Sequence, residues 1–143
     1  MTVTPSVLFV CVKNGGKSQM AAGLMRKAAG PAVEVHSAGT DPKPGGTVDP
    51  MSAQTLLEVG VDLTGETPKP IDPALLARVD LVVTLGREAV VDVPAGVELE
   101  NWDTDEPSER GIDGIERMRL VRDDIAARVD DLTRRLADPD ATA

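Results

Sequence analysis

The sequence predicts an α/β fold, a three-layer doubly wound domain built on a four-stranded parallel sheet. Three observations carry that expectation. The runs 6–10 and 81–85 are continuously apolar and rich in β-branched residues, as strands buried on both faces are. Strand and helix signals alternate along the chain, which implies crossover connections and a covered parallel sheet. The length of 143 residues with 41% apolar content suits one core and is short for two. A single domain over 1–143 is expected, with a frayed tail at 138–143.

The elements follow in order. The strand 6–10 leads through a glycine-containing loop into a helix over 18–29, where Met20, Leu24 and Met25 recur at helical spacing. Residues 33–37 read as a second strand, and 40–46, with two prolines and two glycines, as a loop. Asp49-Pro50 and Asp72-Pro73 each place a capping side chain before a first-turn proline, opening helices to about 59 and 79. The run 81–85 is a third strand closed by Gly86, and 97–102 a fourth. Met118, Val121, Ile125, Val129, Leu132 and Leu136 step by three and four, marking one face of a final helix.

The net charge of −9 argues against nucleic acid or an anionic membrane as partner. The first residues lack a charged stretch followed by a long apolar run, and no apolar run could span a bilayer. One cysteine excludes an internal disulfide, and a cytoplasmic location is expected. One cysteine and one histidine cannot make a zinc site, so no metal is expected. His36 reads as structural, and Asp62, Asp72 and Asp80 as turn and cap residues.

The chemistry concentrates where the first strand ends: Cys11-Val12-Lys13-Asn14-Gly15-Gly16-Lys17-Ser18-Gln19. A loop of this length running into a helix N-terminus can turn the backbone N–H groups of residues 12–17 onto one anion. Gly15 and Gly16 are expected to ease the curl, and Lys17 adds a full positive charge. Ser18 can donate a hydrogen bond to the Cys11 sulfur. Together these favour the thiolate, the reactive form. The Gly-Lys-Ser triplet is not a nucleotide loop, because that pattern's first glycine is missing here.

A cysteine, five residues, then a cation and serine resembles the signature of the low-molecular-weight protein tyrosine phosphatase family, including its arsenate reductase branch. The strings Val7-Leu8-Phe9-Val10-Cys11, Ser18-Gln19-Met20-Ala21, Ser37-Ala38-Gly39-Thr40 and Asp80-Leu81-Val82-Val83-Thr84-Leu85 fall in family order. The Gln19 position looks more like the arsenate branch than the phosphatases, which usually carry proline there.

Three departures bear on subtype. The family's loop cation is normally arginine, which grips an oxyanion bidentately, whereas Lys17 is a point charge. Thioredoxin-coupled arsenate reductases keep two further cysteines after the third strand, where this chain has Gly86 and no other cysteine at all. Relatives that bind potassium carry an acid where this chain has Ala22, so no cation site is expected. Reducing arsenate takes two electrons, and a chain that cannot form its own disulfide needs an external thiol. This pattern resembles the arsenate–mycothiol transferases, which implies mycothiol as cosubstrate, a mycoredoxin-type protein downstream and no bound cofactor.

In the family an acid just before a proline protonates the leaving oxygen. The matching stretch, Trp102-Asp103-Thr104-Asp105-Glu106-Pro107, makes Glu106 the first candidate general acid and Asp105 the second. Lys13 and Arg87 are candidate rim charges that could steer an anion. The chain has no tyrosine, one phenylalanine and one tryptophan, too few aromatics to wall in a phosphotyrosine ring. Two rival readings use the same loop: a phosphatase for small phosphate esters, and a catalytically weak oxyanion-binding or sensor protein.

Overall fold

The computed structural model describes residues 4–137; the expected tail at 138–143 lies outside them. Four strands, β1 (Ser6–Cys11), β2 (Glu34–Gly39), β3 (Leu81–Leu85) and β4 (Glu98–Trp102), form one parallel sheet in the order β2-β1-β3-β4. Four α-helices, α1 (Lys17–Ala29), α2 (Pro50–Leu57), α3 (Pro73–Arg78) and α4 (Gly114–Ala137), cover it. This is the fold class the sequence implied.

Continuous apolarity in β1 has a direct cause. Val7 and Phe9 face α1, α2 and α4, joining Met20, Met25, Leu56, Val121 and Ile125 in the larger core. Leu8 and Val10 face the other way, packing with Val82, Val91 and the α3 residues Leu75 and Leu76. Both faces are buried, so no polar position alternates in. The edge strand β4 differs: its exposed positions include Glu98 and Asn101, the polar dress expected of an open edge.

Several details depart from the sequence reading, and β2 spans Glu34–Gly39 where the sequence pattern predicts 33–37. Helix α2 stops at Leu57, two residues early, because Gly60 takes φ 81° and the N–H groups of Val59 and Val61 turn back to the Leu56 carbonyl. Helix α4 begins at Gly114, four residues ahead of Met118, and the half-buried Ile115 extends the same apolar stripe by one turn. Short 3-10 turns at Gly30–Ala32 and Pro107–Arg110 had no counterpart in the reading.

Strand order places the site. The chain leaves β1 for β2 on one side and reaches β3 on the other, so a crevice opens beyond the carboxyl end of β1. Cys11 is the last residue of that strand.

Candidate active site

The loop after Cys11 is tied down by its carbonyls. Those of Cys11 and Val12 accept from the N–H groups of Thr40 (3.1 Å) and Asp41 (2.8 Å), and that of Gly15 from Asp49 N–H (2.7 Å). The N–H groups of Lys13, Gly15, Gly16 and Lys17 donate to no protein acceptor among the described residues. Carbonyls held by the body of the fold and amides left for a ligand are what an anion-binding loop requires. Gly39, paired in register with Cys11, permits the close crossing: a Cβ there would sit 2.7 Å from the Val12 oxygen.

The sequence reading gave the curl to the glycines, and the structure adds a second residue to it. Gly16, at φ −140° and ψ −96°, lies outside the regions open to most residues, and Asn14, at φ 55°, takes the left-handed position. Asparagine tolerates that conformation when its short side chain is hydrogen-bonded locally. Here it is buried: Oδ1 accepts from Lys69 N–H (3.0 Å) and Gln19 Nε2 (3.1 Å), and Nδ2 donates to Ser18 Oγ (2.7 Å). Asn14 was expected among the oxyanion ligands, but its amide side chain is spent behind the loop.

That network reaches the sulfur. Lys69 N–H can only donate, so the Asn14 amide is fixed with its nitrogen toward Ser18. Ser18 Oγ, accepting from Asn14, is held 2.9 Å from Cys11 Sγ and donates to it when the sulfur is a thiolate. Asn14 N–H approaches the same sulfur at 3.2 Å. Two donors aimed at a sulfur favour its negative form.

Across the crevice stands the loop between β4 and α4, held by the helix. Asp124 accepts from Asp105 N–H (2.9 Å), and Arg128 donates to the Asp103 carbonyl (3.0 Å). Glu106 enters the cavity and pairs with Lys17. That cavity, about 400 Å³, is also lined by Cys11, Gly86 and Arg87. Arg87 makes a two-pronged pair with Asp103 (3.0 and 3.2 Å) at its rim.

Asp105, the second candidate acid, is corrected. It turns away to a two-pronged pair with Arg110 (2.7 and 3.1 Å) and does not line the cavity. The hydrogen bonds from Arg110 hold its carboxyl below the usual aspartate range.

A second cavity, about 880 Å³, lies on the other side of Cys11, against Lys13 and the 41–50 loop. Lys13 pairs there with Asp41 at 2.9 Å. No aromatic side chain lines either cavity: Trp102 is buried with its ring 5.6 Å from that of Phe9. His36 lies on the sheet's edge strand, paired with Glu34 at 2.8 Å, and lines neither. Asp62 and Asp72 cap turns at Thr64 and Ala74, while Asp80 binds Ser6 at the start of β1. Among the described residues no group of three or more His, Cys, Asp or Glu is placed to hold a metal ion. The supports the sequence reading missed, Gln19, Arg110, Asp124 and the backbone at Lys69, lie 5 to 55 positions from their partners and leave no local pattern.

The profile of a family described as low molecular weight phosphotyrosine protein phosphatase matches residues 6–141. An arsenate reductase of Halalkalibacterium halodurans is 35% identical over 86% of this chain and 91% of its own. An arsenate reductase of Staphylococcus epidermidis is 32% identical over 91% and 97%. Among solved structures, the thioredoxin-dependent arsenate reductase of Corynebacterium glutamicum superposes with a TM-score of 0.77 at 31% identity. That match covers 94% of this chain and 63% of the longer one. An arsenate reductase in a phosphate-binding state gives a TM-score of 0.76 at 28% identity, over 92% of this chain and 98% of that one.

Proposed function

Because the chain belongs to the low molecular weight phosphotyrosine protein phosphatase family, we propose that it is an arsenate reductase of the transferase kind, passing an arseno group from Cys11 to mycothiol. Relatives named arsenate reductase align along nearly its whole length. Arsenate occupies the loop of residues 12–17, its charge met by the free N–H groups and the Lys17 ammonium. The Cys11 thiolate bonds to arsenic while an As–O bond breaks, and Glu106 delivers the proton with which that oxygen leaves as water. The proton is carried in by arsenate itself, whose neutral-pH forms bear hydroxyl groups, so a carboxylate paired with Lys17 can receive and return it.

One observation carries the transferase reading: Cys11 is the only cysteine. The residue after β3 does face the nucleophile's cavity, but it is Gly86 and offers no thiol. Thioredoxin reduces disulfides, and a single cysteine cannot form one within the chain. The arseno group therefore leaves on an external thiol, and a mycoredoxin-type protein supplies the two electrons that free arsenite from the adduct. No cofactor or metal takes part in the transfer.

The test is arsenate-dependent NADPH consumption with mycothiol, mycoredoxin and mycothione reductase, beside a matched thioredoxin system. Turnover in the mycothiol system alone supports the proposal. Turnover with thioredoxin alone overturns it. Activity in neither, with hydrolysis of para-nitrophenyl phosphate, makes the protein a phosphatase.

A further inference from the structure

The larger cavity is roofed by a strap that the catalytic loop itself holds. Asp41 N–H is tied to the Val12 carbonyl at 2.8 Å and Asp49 N–H to that of Gly15 at 2.7 Å. Between these anchors run residues 42–48, stiffened by Pro42 and Pro44, closed on themselves where Gly46 N–H meets the Lys43 carbonyl (2.9 Å), and returning to the loop with the Thr47 carbonyl near Gly15. The groove beneath has about 880 Å³, within the usual range for small-molecule sites, against about 400 Å³ beside Glu106. Cys11 is the one residue lining both.

We infer that this groove seats the body of the thiol cosubstrate, a neutral, hydroxyl-rich low-molecular-weight thiol. The inference rests on the transferase reading and names the place where its second substrate binds. The smaller cavity is committed to the oxyanion by Lys17 and Glu106, and the groove is the other cavity that Cys11 lines among the described residues. Its charges balance: Lys13 and Lys43 oppose Asp41 and Asp49, so it gives no net attraction to a polyanionic thiol. The same groups, with the Thr47 hydroxyl, supply donors and acceptors for a polyol, and proline and glycine surfaces suit the CH faces of its rings.

Seated there, the thiol faces Glu106 across the arsenic. Its sulfur bonds to arsenic as the bond from arsenic to Cys11 Sγ breaks. Arsenic stays pentavalent, Cys11 leaves as thiolate, and the thiol proton passes to an oxygen of the arseno group.

The experiment compares the wild type with Thr47→Trp, which fills the groove, and Lys43→Glu, which unbalances it. Each is assayed for arseno-adduct formation with mycothiol and with dithiothreitol, a thiol that has no body to seat. For Thr47→Trp the ratio of kcat/KM with mycothiol to that with dithiothreitol should fall about tenfold, through KM for mycothiol and not KM for arsenate. Lys43→Glu should lower the same ratio less, and S-methyl mycothiol should compete with mycothiol only in proteins with the groove open. An unchanged ratio in both variants, with the wild type active, overturns the inference and places the thiol elsewhere. Equal losses with both thiols also overturn it, because the strap then only supports the loop. A wild type that forms no adduct with any thiol overturns the transferase reading itself.

Discussion

The Asn14 side chain donates to Ser18 Oγ at 2.7 Å, which holds the serine hydroxyl against Cys11. A thiolate at Cys11 can only accept, so toward it Ser18 donates across the 2.9 Å contact. The arrangement stands on Lys69 N–H, 55 residues further along the chain, which fixes the Asn14 amide.

Asn14→Ala and Ser18→Ala should each slow Cys11 alkylation by iodoacetamide at neutral pH and lower kcat about tenfold, the worth of one hydrogen bond to a charged group. The double variant should cost little more than the worse single one, because the two side chains act through one contact. Additive losses would show that Asn14 acts on its own.

Cys11→Ser should abolish turnover while phosphate or arsenate binding, followed by calorimetry, stays within a few-fold of wild type. In the proposed reading the anion is held by N–H groups and Lys17, which this change leaves in place. Retained turnover would refute covalent catalysis by this residue.

Glu106→Gln should lower kcat about a hundredfold, in the range of a lost general acid, while Asp105→Asn changes it less than about threefold. Asp105 is spent on Arg110 and lies outside the cavity. The reverse ranking would show that the acid loop rearranges when substrate binds.

Lys17→Met should raise KM for arsenate about tenfold or more, and steepen no salt dependence, since the steered charge is gone. Lys17→Arg should keep activity and bind the oxyanion more tightly through its two-pronged geometry. Weaker binding by the arginine variant would mean that the pocket is shaped to a point charge.

Acid stability should depend on Glu58, which clamps α2 to α4. The hydrogen bonds from Arg119 first, then Arg122, hold its carboxyl below the ordinary glutamate range. The folded state binds that proton less readily than the unfolded one, so the contribution is full above the unfolded value and is lost as pH falls through the folded one. Urea midpoints should therefore fall less steeply below the glutamate range in Glu58→Gln. Parallel pH profiles would show that the clamp adds nothing.

Much was legible because it was local. Continuous apolar runs gave the parallel strands, Asp-Pro pairs gave two helix starts, and the 3.6-residue stripe gave α4, since each reports burial or capping of residues near in sequence. The Cys11 to Ser18 spacing likewise located the loop on a strand end. The glycines account for part of its curl, Gly16 taking a backbone conformation closed to most residues, but that Asn14 takes the left-handed position depends on a buried network reaching Lys69.

The sequence by itself determined the layers of the fold, the lone cysteine at the end of the first strand, the loop cation and the want of a second thiol. Only the tertiary structure decided which acid lines a cavity with Cys11, that Asn14 backs Ser18, and that Cys11 stands between two cavities. The physical reason is distance along the chain. Burial periodicity and capping act over a few residues, whereas Lys17 meets Glu106 89 positions away, through a strand order and a helix packing that no local pattern encodes.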